Sequence, residues 1–226
     1  MAPITLYTAS TPNGQKAAII FEELKAAYPP TVFPDYVVRP IKMSANEQKE
    51  DWFLKINPNG RIPAISDGNR GDFKVFESAA IILYLTQQYD KEFKLGFDPV
   101  HDPNTYSEAL QWIFFLHGGI GPMQGQVGHF KRAAPEKIPY AIKRYEDEVK
   151  RLYSVVETRL QDRDYLVGPG RGRYSIADIN MFPWVNRHAI VDIENFDTTY
   201  PNVSAWLKRI NARPVVEKAL GIPASS

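Results

Sequence analysis

Cysteine is absent from all 226 residues. That single absence excludes disulfides, thiolate metal sites and a cysteine nucleophile, so any thiol chemistry must use a thiol carried in by a ligand. Long apolar runs are missing as well. None reaches the length of a membrane span, and the opening MAPITLYTAS lacks the basic-then-apolar pattern of a secretory leader, so a cytoplasmic location away from membranes is expected. Nor is there an excess of charge of either sign. A net charge of +1 spread along the chain lacks the clustered basic surface that phosphate backbones require, and nucleic acid is not expected as a partner. The histidines, His101, His117, His129 and His188, are never at the close spacing of a helical metal motif, and no metal is expected.

What is present is an ordinary globular composition, 44% hydrophobic and 23% charged, in a chain long enough for one large domain or two modest ones. Residues 1–90 mix strands and helices: a strand at 4–9, a helix from about 13 to 27, a strand within VFPDYVVRP, a helical segment NEQKEDWFLKI, strands RIPAIS and FKVFE, and the helix ESAAIILYLTQQY. The order is βαβ followed by ββα, with DGNRG short enough to turn an antiparallel hairpin. Residues 91–104 carry two Asp-Pro pairs and no period and read as a linker. From 105 to 226 the pattern is helical. Ile142, Tyr145, Val149, Leu152, Val156 and Leu160 step by three and four along one amphipathic helix, and Ser175 with Asp178 has the spacing of a capping box. The fold class expected is therefore α/β plus all-α.

Three junctions could carry chemistry. In TPNGQK the Asn13-Gly14 pair is a hairpin signal, yet Ala17, Ile20, Phe21 and Leu24 follow at the helical period, so the pair opens a helix instead. Asn13 then lies beside free N–H groups and a positive dipole end, where thiolates are stabilised. Read on its own, Thr11 as N-cap with Pro12 at the first helical position needs no function. In NPNGRIPAISD, Ile62-Pro63 leads into a strand. It is either an ordinary edge proline or a cis bond that turns the Ile62 backbone outward to pair with a peptide-like ligand. In FESAAIILYL, Glu77 and Ser78 are either a helix start, with Ser78 as N-cap and Glu77 favouring the dipole, or a clamp for an amino-acid zwitterion, carboxylate on amine and helix N-terminus on carboxylate. Trp112, Phe114, Phe115, Met123, Phe130 and Trp184 read most simply as core, with the lining of a pocket next to the first domain as the alternative for a few of them.

With TPNGQK, NPNGRIPAI, FESAAIILYL, FFLHGGIGPMQGQVGHF, APEKIPYAIKRYEDEVKRLY and YSIADI in this order, the whole chain resembles a cytosolic glutathione transferase. Within that superfamily it is most similar to the branch that includes bacterial nu-class disulfide-bond reductases and the fungal nitrogen-catabolite regulator. The resemblance implies a thioredoxin-like glutathione-binding domain, 1–90, and a helical domain, 105–226, that forms the pocket for a second substrate. It implies that Glu77 and Ser78 hold the γ-glutamyl end, that Ile62 before a cis Pro63 pairs with the cysteinyl backbone, and that Gln48 reaches toward the glycine end. By the same resemblance Arg144 approaches the ligand from the other subunit of a homodimer. Asn13 would hold the glutathione sulfur as thiolate, assisted by Thr11, with Tyr7 as the rival for that role. Glutathione is then the co-substrate, and a small disulfide, a peroxide or an electrophile is its partner. Disulfide reduction through two glutathione molecules ranks first; the alternative is a non-catalytic glutathione-binding regulator or a carrier of hydrophobic ligands.

Overall fold

Strand β1 (Ile4–Thr8) alternates as a half-covered strand must, with Ile4, Leu6 and Thr8 buried. The structure, a computed structural model describing residues 3–224, then turns directly into helix α1 (Pro12–Ala27). Thr11 caps it, its hydroxyl accepting from Gly14 N–H at 3.1 Å, and Pro12 occupies the first turn. Gly14 is there for space. A Cβ at this position would collide with the Ala9 carbonyl and the Thr8 hydroxyl, so the helix can start this close to β1 only on glycine.

Strand β2 (Tyr36–Pro40) follows, then a segment of short turns ending in α2 (Asp51–Leu54). The single helical segment expected over NEQKEDWFLKI is broken here. Asn46 sits in the left-handed region at φ 56°, and Glu50 is extended at ψ 148°, so the helical hydrogen-bond ladder restarts twice. Strands β3 (Ala64–Asp67) and β4 (Phe73–Phe76) form the expected antiparallel hairpin, and α3 (Ser78–Tyr89) follows without a loop.

The sheet order is β2-β1-β3-β4, with β1 parallel to β2 and antiparallel to β3. Its register positions everything that follows. Thr8 lies opposite Pro40, Tyr7 opposite Ala64, and Ala64 opposite Phe76. The end of β1, the end of β2, the start of β3 and the end of β4 therefore share one edge of the sheet.

The remaining elements are α4 (Pro103–Phe115), a π-helical turn (Leu116–Ile120), α5 (Gly121–Arg132), α6 (Pro139–Leu160), α7 (Ile176–Val185), α8 (Phe196–Thr199), α9 (Pro201–Asn211) and α10 (Pro214–Leu220). Two compact units result: the residues up to Phe97 together with those from Asn211 onward, and Asp98–Ile210. This differs from a helical domain running on to 226. Helix α10 belongs with the sheet, packing along α1 through Arg213–Glu23 (2.8 Å) and Lys218–Glu22 (2.6 Å) ion pairs. The stretch read as a linker from 91 also differs. Buried Asp90 accepts from the backbone of Lys94, Leu95 and Gly96 and from the Tyr28 hydroxyl, which fastens residues 94–96 to the first unit. The second Asp-Pro pair is a helix start, Asp102 capping α4.

Within the second unit, Val149, Leu152, Val156 and Leu160 form the buried stripe of α6. The capping box at α7 is present. Buried Asp178 accepts from Ser175 N–H and hydroxyl, Leu166 N–H and Trp206 Nε1 at 2.9–3.1 Å, and burial pushes its carboxyl up to about 6 against those bonds. The aromatics read as core are not core. Phe114 is 65% exposed, and Trp112, Phe115, Met123, Phe130 and Trp184 are only half-buried, so residue type alone misplaced them.

Replacing Asp90 by alanine strands three backbone N–H groups that it now satisfies. We expect urea denaturation to show a loss of about 2–4 kcal/mol. A loss under about 1 kcal/mol would mean that residues 94–96 are held by something other than this carboxylate.

Candidate functional site

The shared sheet edge gathers the segments that leave or enter it: Ser10–Gly14 after β1, the stretch containing Gln48 after β2, Ile62-Pro63 before β3, and Glu77-Ser78 after β4. Candidates that lie up to 67 residues apart in sequence thus meet in one unit. Arg144 belongs to the second unit, exposed on α6 beside an open groove lined by Tyr140, Lys143, Glu148 and Arg151.

At the α1 junction Thr11 accepts a bond through its oxygen and keeps its own O–H to donate. Asn13 is half-buried in the first turn of α1, among the N–H groups that this turn leaves without helical acceptors. Tyr7 is placed otherwise. Its ring packs edge-on against Phe53 and tilted against Trp52. Burial raises its pKa, so it is no source of a base.

The bond before Pro63 is cis, as the outward-facing reading requires, and Ile62 is buried against Phe53, Ile56 and Ala64. Gln48 is 6% exposed; its Nε2 donates to Asn46 Oδ1 at 3.4 Å, and its Oε1 is buried with no hydrogen-bond partner. An orphaned buried acceptor is costly and calls for a donor.

At the third junction, the helix-start reading of Glu77 and Ser78 turns out differently. Glu77, not Ser78, is the cap residue of α3, and no side chain caps this helix. Glu77 adopts φ 69°, ψ 120°, a sparsely populated conformation for a residue with a Cβ, and its carboxylate is exposed. The uncapped N–H groups and the dipole of α3 remain available for an anion, next to a carboxylate suited to an ammonium.

Sequence reasoning missed Lys16. It is 1% exposed, and its Nζ stands 3.4 Å from Ser78 Oγ. Burial pushes its pKa down to about 7, with the Glu77 carboxylate pulling it back upward. The signal was present: Lys16 lies four residues before Ile20 and eight before Leu24, on the buried stripe of α1.

A βαβ-ββα sheet unit that presents such an edge, accompanied by a helical unit, defines a two-part protein of thioredoxin-like fold. The chain belongs to the glutathione S-transferase family: residues 2–87 match its N-terminal domain and residues 108–214 its C-terminal domain. Among the relatives, the disulfide-bond oxidoreductase YfcG of Escherichia coli is 40% identical, the match covering 96% of this chain and 94% of that protein. A glutathione transferase homologue from Lodderomyces elongisporus, solved with two GSH per subunit, aligns with TM-score 0.88 at 38% identity over 99% of this chain and all of that one. The glutathione transferase URE2P8 of Phanerochaete chrysosporium, solved with oxidised glutathione, aligns with TM-score 0.87 at 32% identity, covering 97% and 94% of the two chains.

The strain at Glu77 is separable from its side chain. Glu77→Gly relieves the positive φ, of order 1–3 kcal/mol, against a higher unfolded-state entropy of about 0.5–1 kcal/mol. Its thermal midpoint is expected to equal or exceed that of the parent. A clear drop would show that the carboxylate itself stabilises the fold.

Proposed function

We propose that this protein is a glutathione-dependent oxidoreductase that reduces small disulfides through two glutathione molecules. The observation that carries the proposal is the gathering, on one sheet edge of a cysteine-free chain, of an amine-binding carboxylate, an uncapped helix N-terminus, an orphaned amide acceptor and a donor-rich helix start. In this reading Glu77 takes the γ-glutamyl ammonium. Ser78 and the α3 N-terminus take its carboxylate, Ile62 pairs with the cysteinyl backbone, and Gln48 accepts the glycyl N–H.

Asn13 donates to the sulfur, with the Thr11 hydroxyl and the start of α1 in support. An amide can donate but cannot act as a base near neutral pH, so its part is to stabilise the thiolate. A free thiol at about pKa 8.5 is only a few per cent ionised at pH 7; lowering it by about two units corresponds to about 2.7 kcal/mol and makes the nucleophile abundant. The bound thiolate attacks one sulfur of a disulfide, forming a mixed disulfide with glutathione and expelling the other half as a thiolate, which takes up a proton. A second glutathione thiolate then attacks the glutathionyl sulfur of the mixed disulfide, giving oxidised glutathione and the remaining free thiol. The relative named a disulfide-bond oxidoreductase and the neighbour solved with two GSH per subunit support this order of preference over peroxide reduction and conjugation.

A cytoplasmic location belongs to the same proposal, because the mechanism draws on a reduced glutathione pool. So does a homodimer, in which Arg144 of one subunit serves the site of the other. Light scattering that reports a monomer would remove that role from Arg144.

The deciding assay is glutathione-dependent reduction of hydroxyethyl disulfide, coupled to glutathione reductase and NADPH. Turnover is expected in the parent and in Tyr7→Phe, and Asn13→Ala is expected to lower kcat by about 10- to 100-fold while glutathione still binds. Unchanged turnover in Asn13→Ala would move the sulfur to another donor. Absence of turnover in a parent that binds glutathione would favour the regulator or carrier reading.

A further inference from the structure

We propose that Lys16 is a positioning residue for the γ-glutamyl carboxylate: its ammonium fixes the Ser78 hydroxyl as a donor and makes ligand affinity depend on pH. The inference rests on the glutathione-binding reading above and adds to it a residue and a regulation.

An ammonium has donors only, so a charged Lys16 can bond to Ser78 only by donating to Oγ. The Ser78 hydroxyl hydrogen is then left to donate to a carboxylate at the start of α3, in line with the helix dipole. A neutral amine has a lone pair. Once Lys16 loses its proton it can accept the Ser78 O–H, turning that hydrogen away from the ligand and removing a buried positive charge behind it. The two states of one lysine therefore correspond to a competent and a weakened carboxylate site.

The surroundings favour a change between those states near neutral pH. Lys16 is buried on α1, and burial brings its pKa to about 7. Glu77, from the junction before α3, is the carboxylate that acts on it. Helix α10, also packed on α1, has its Arg213 paired with Glu23 and its Lys218 with Glu22, and β1 beneath carries no charge. A bound carboxylate stabilises the charged lysine and raises its pKa, so binding takes up protons above pH 7 and affinity falls as pH rises. For the free protein the sign is opposite. The unfolded chain holds the Lys16 proton up to about pH 10.4, so between pH 7 and that point the burial cost declines and stability rises with pH.

S-methylglutathione isolates the effect, because its sulfur does not titrate. Calorimetric titrations of the full chain between pH 6.5 and 9 are expected to show affinity falling by about tenfold, a coupling of about 1.4 kcal/mol, with proton uptake at pH 8 read from two buffers of different ionisation enthalpy. Lys16→Met is expected to bind about tenfold more weakly at pH 6.5, with most of the slope and the lysine's share of the proton uptake gone, while its thermal midpoint is at least that of the parent at pH 7. Ser78→Ala, which leaves Lys16 in place, is expected to lose the slope as well. A parental slope that persists in either variant overturns the proposal and leaves glutathione binding standing. Failure of the parent to bind S-methylglutathione at any pH overturns the glutathione reading and this inference with it.

Discussion

The pairing of β1 with β3, and of β3 with β4, is the constraint on which the rest depends. Tyr7 opposite Ala64 and Ala64 opposite Phe76 bring three chain reversals to the same edge, and the parallel partner β2 brings a fourth. A shift of one residue in the β1–β3 or β3–β4 register would exchange the faces of Ile65 and its equally buried neighbours Ala64 and Ser66 and carry the adjoining junction with it. The site is thus held by the same hydrophobic alternation that holds the sheet. Its groups sit on connections, where backbone N–H groups are free, while their positions are set by strands that cannot slip without exposing the core.

Much of this was legible from local pattern. The helical period after Gly14 outweighed the hairpin signal of Asn-Gly, and the structure adds why glycine is needed: the first turn of α1 lies against the Ala9 carbonyl. The capping box at Ser175 and Asp178 was equally readable, since its partners are three residues apart and answer to local geometry. What escaped depends on distant partners. Nothing in 91–104 reveals that Asp90 gathers the backbone ahead of it, nor that Pro103 opens a helix and not a loop. The return of α10 to the first unit rests on two ion pairs between residues nearly 200 positions apart, which no window of sequence contains.

Lys16 and the aromatic residues of α4 and α5 mark opposite failures of one habit of reading. Lys16 went unread because lysine by type prefers solvent, although its position lies on the buried stripe of α1. Phe114 and Trp112 were assigned to the core by type although one is exposed and the other only half-covered. Residue chemistry sets the cost of a placement, and position decides whether that cost is incurred. A charged group at a buried position is accordingly more informative than an apolar one, because a stable fold keeps it only against desolvation.

Two such costs converge on the start of α3: a residue with a side chain at φ 69° and a lysine amine removed from water. Neither is a device for stability. Glycine would relieve the first and an apolar side chain the second, so what each one supplies has to be sought outside the folding of the free chain. The positive φ lets β4 pass into α3 without a capping side chain, which leaves the helix N-terminus open. The buried amine places positive charge behind that opening, where water cannot screen it. Both features lower the energy of the same thing, a negative group at the first turn of α3, and in its absence both are liabilities. Under the proposed reading, such an edge is preorganised for a carboxylate, with its cost already met by the folding of the sheet.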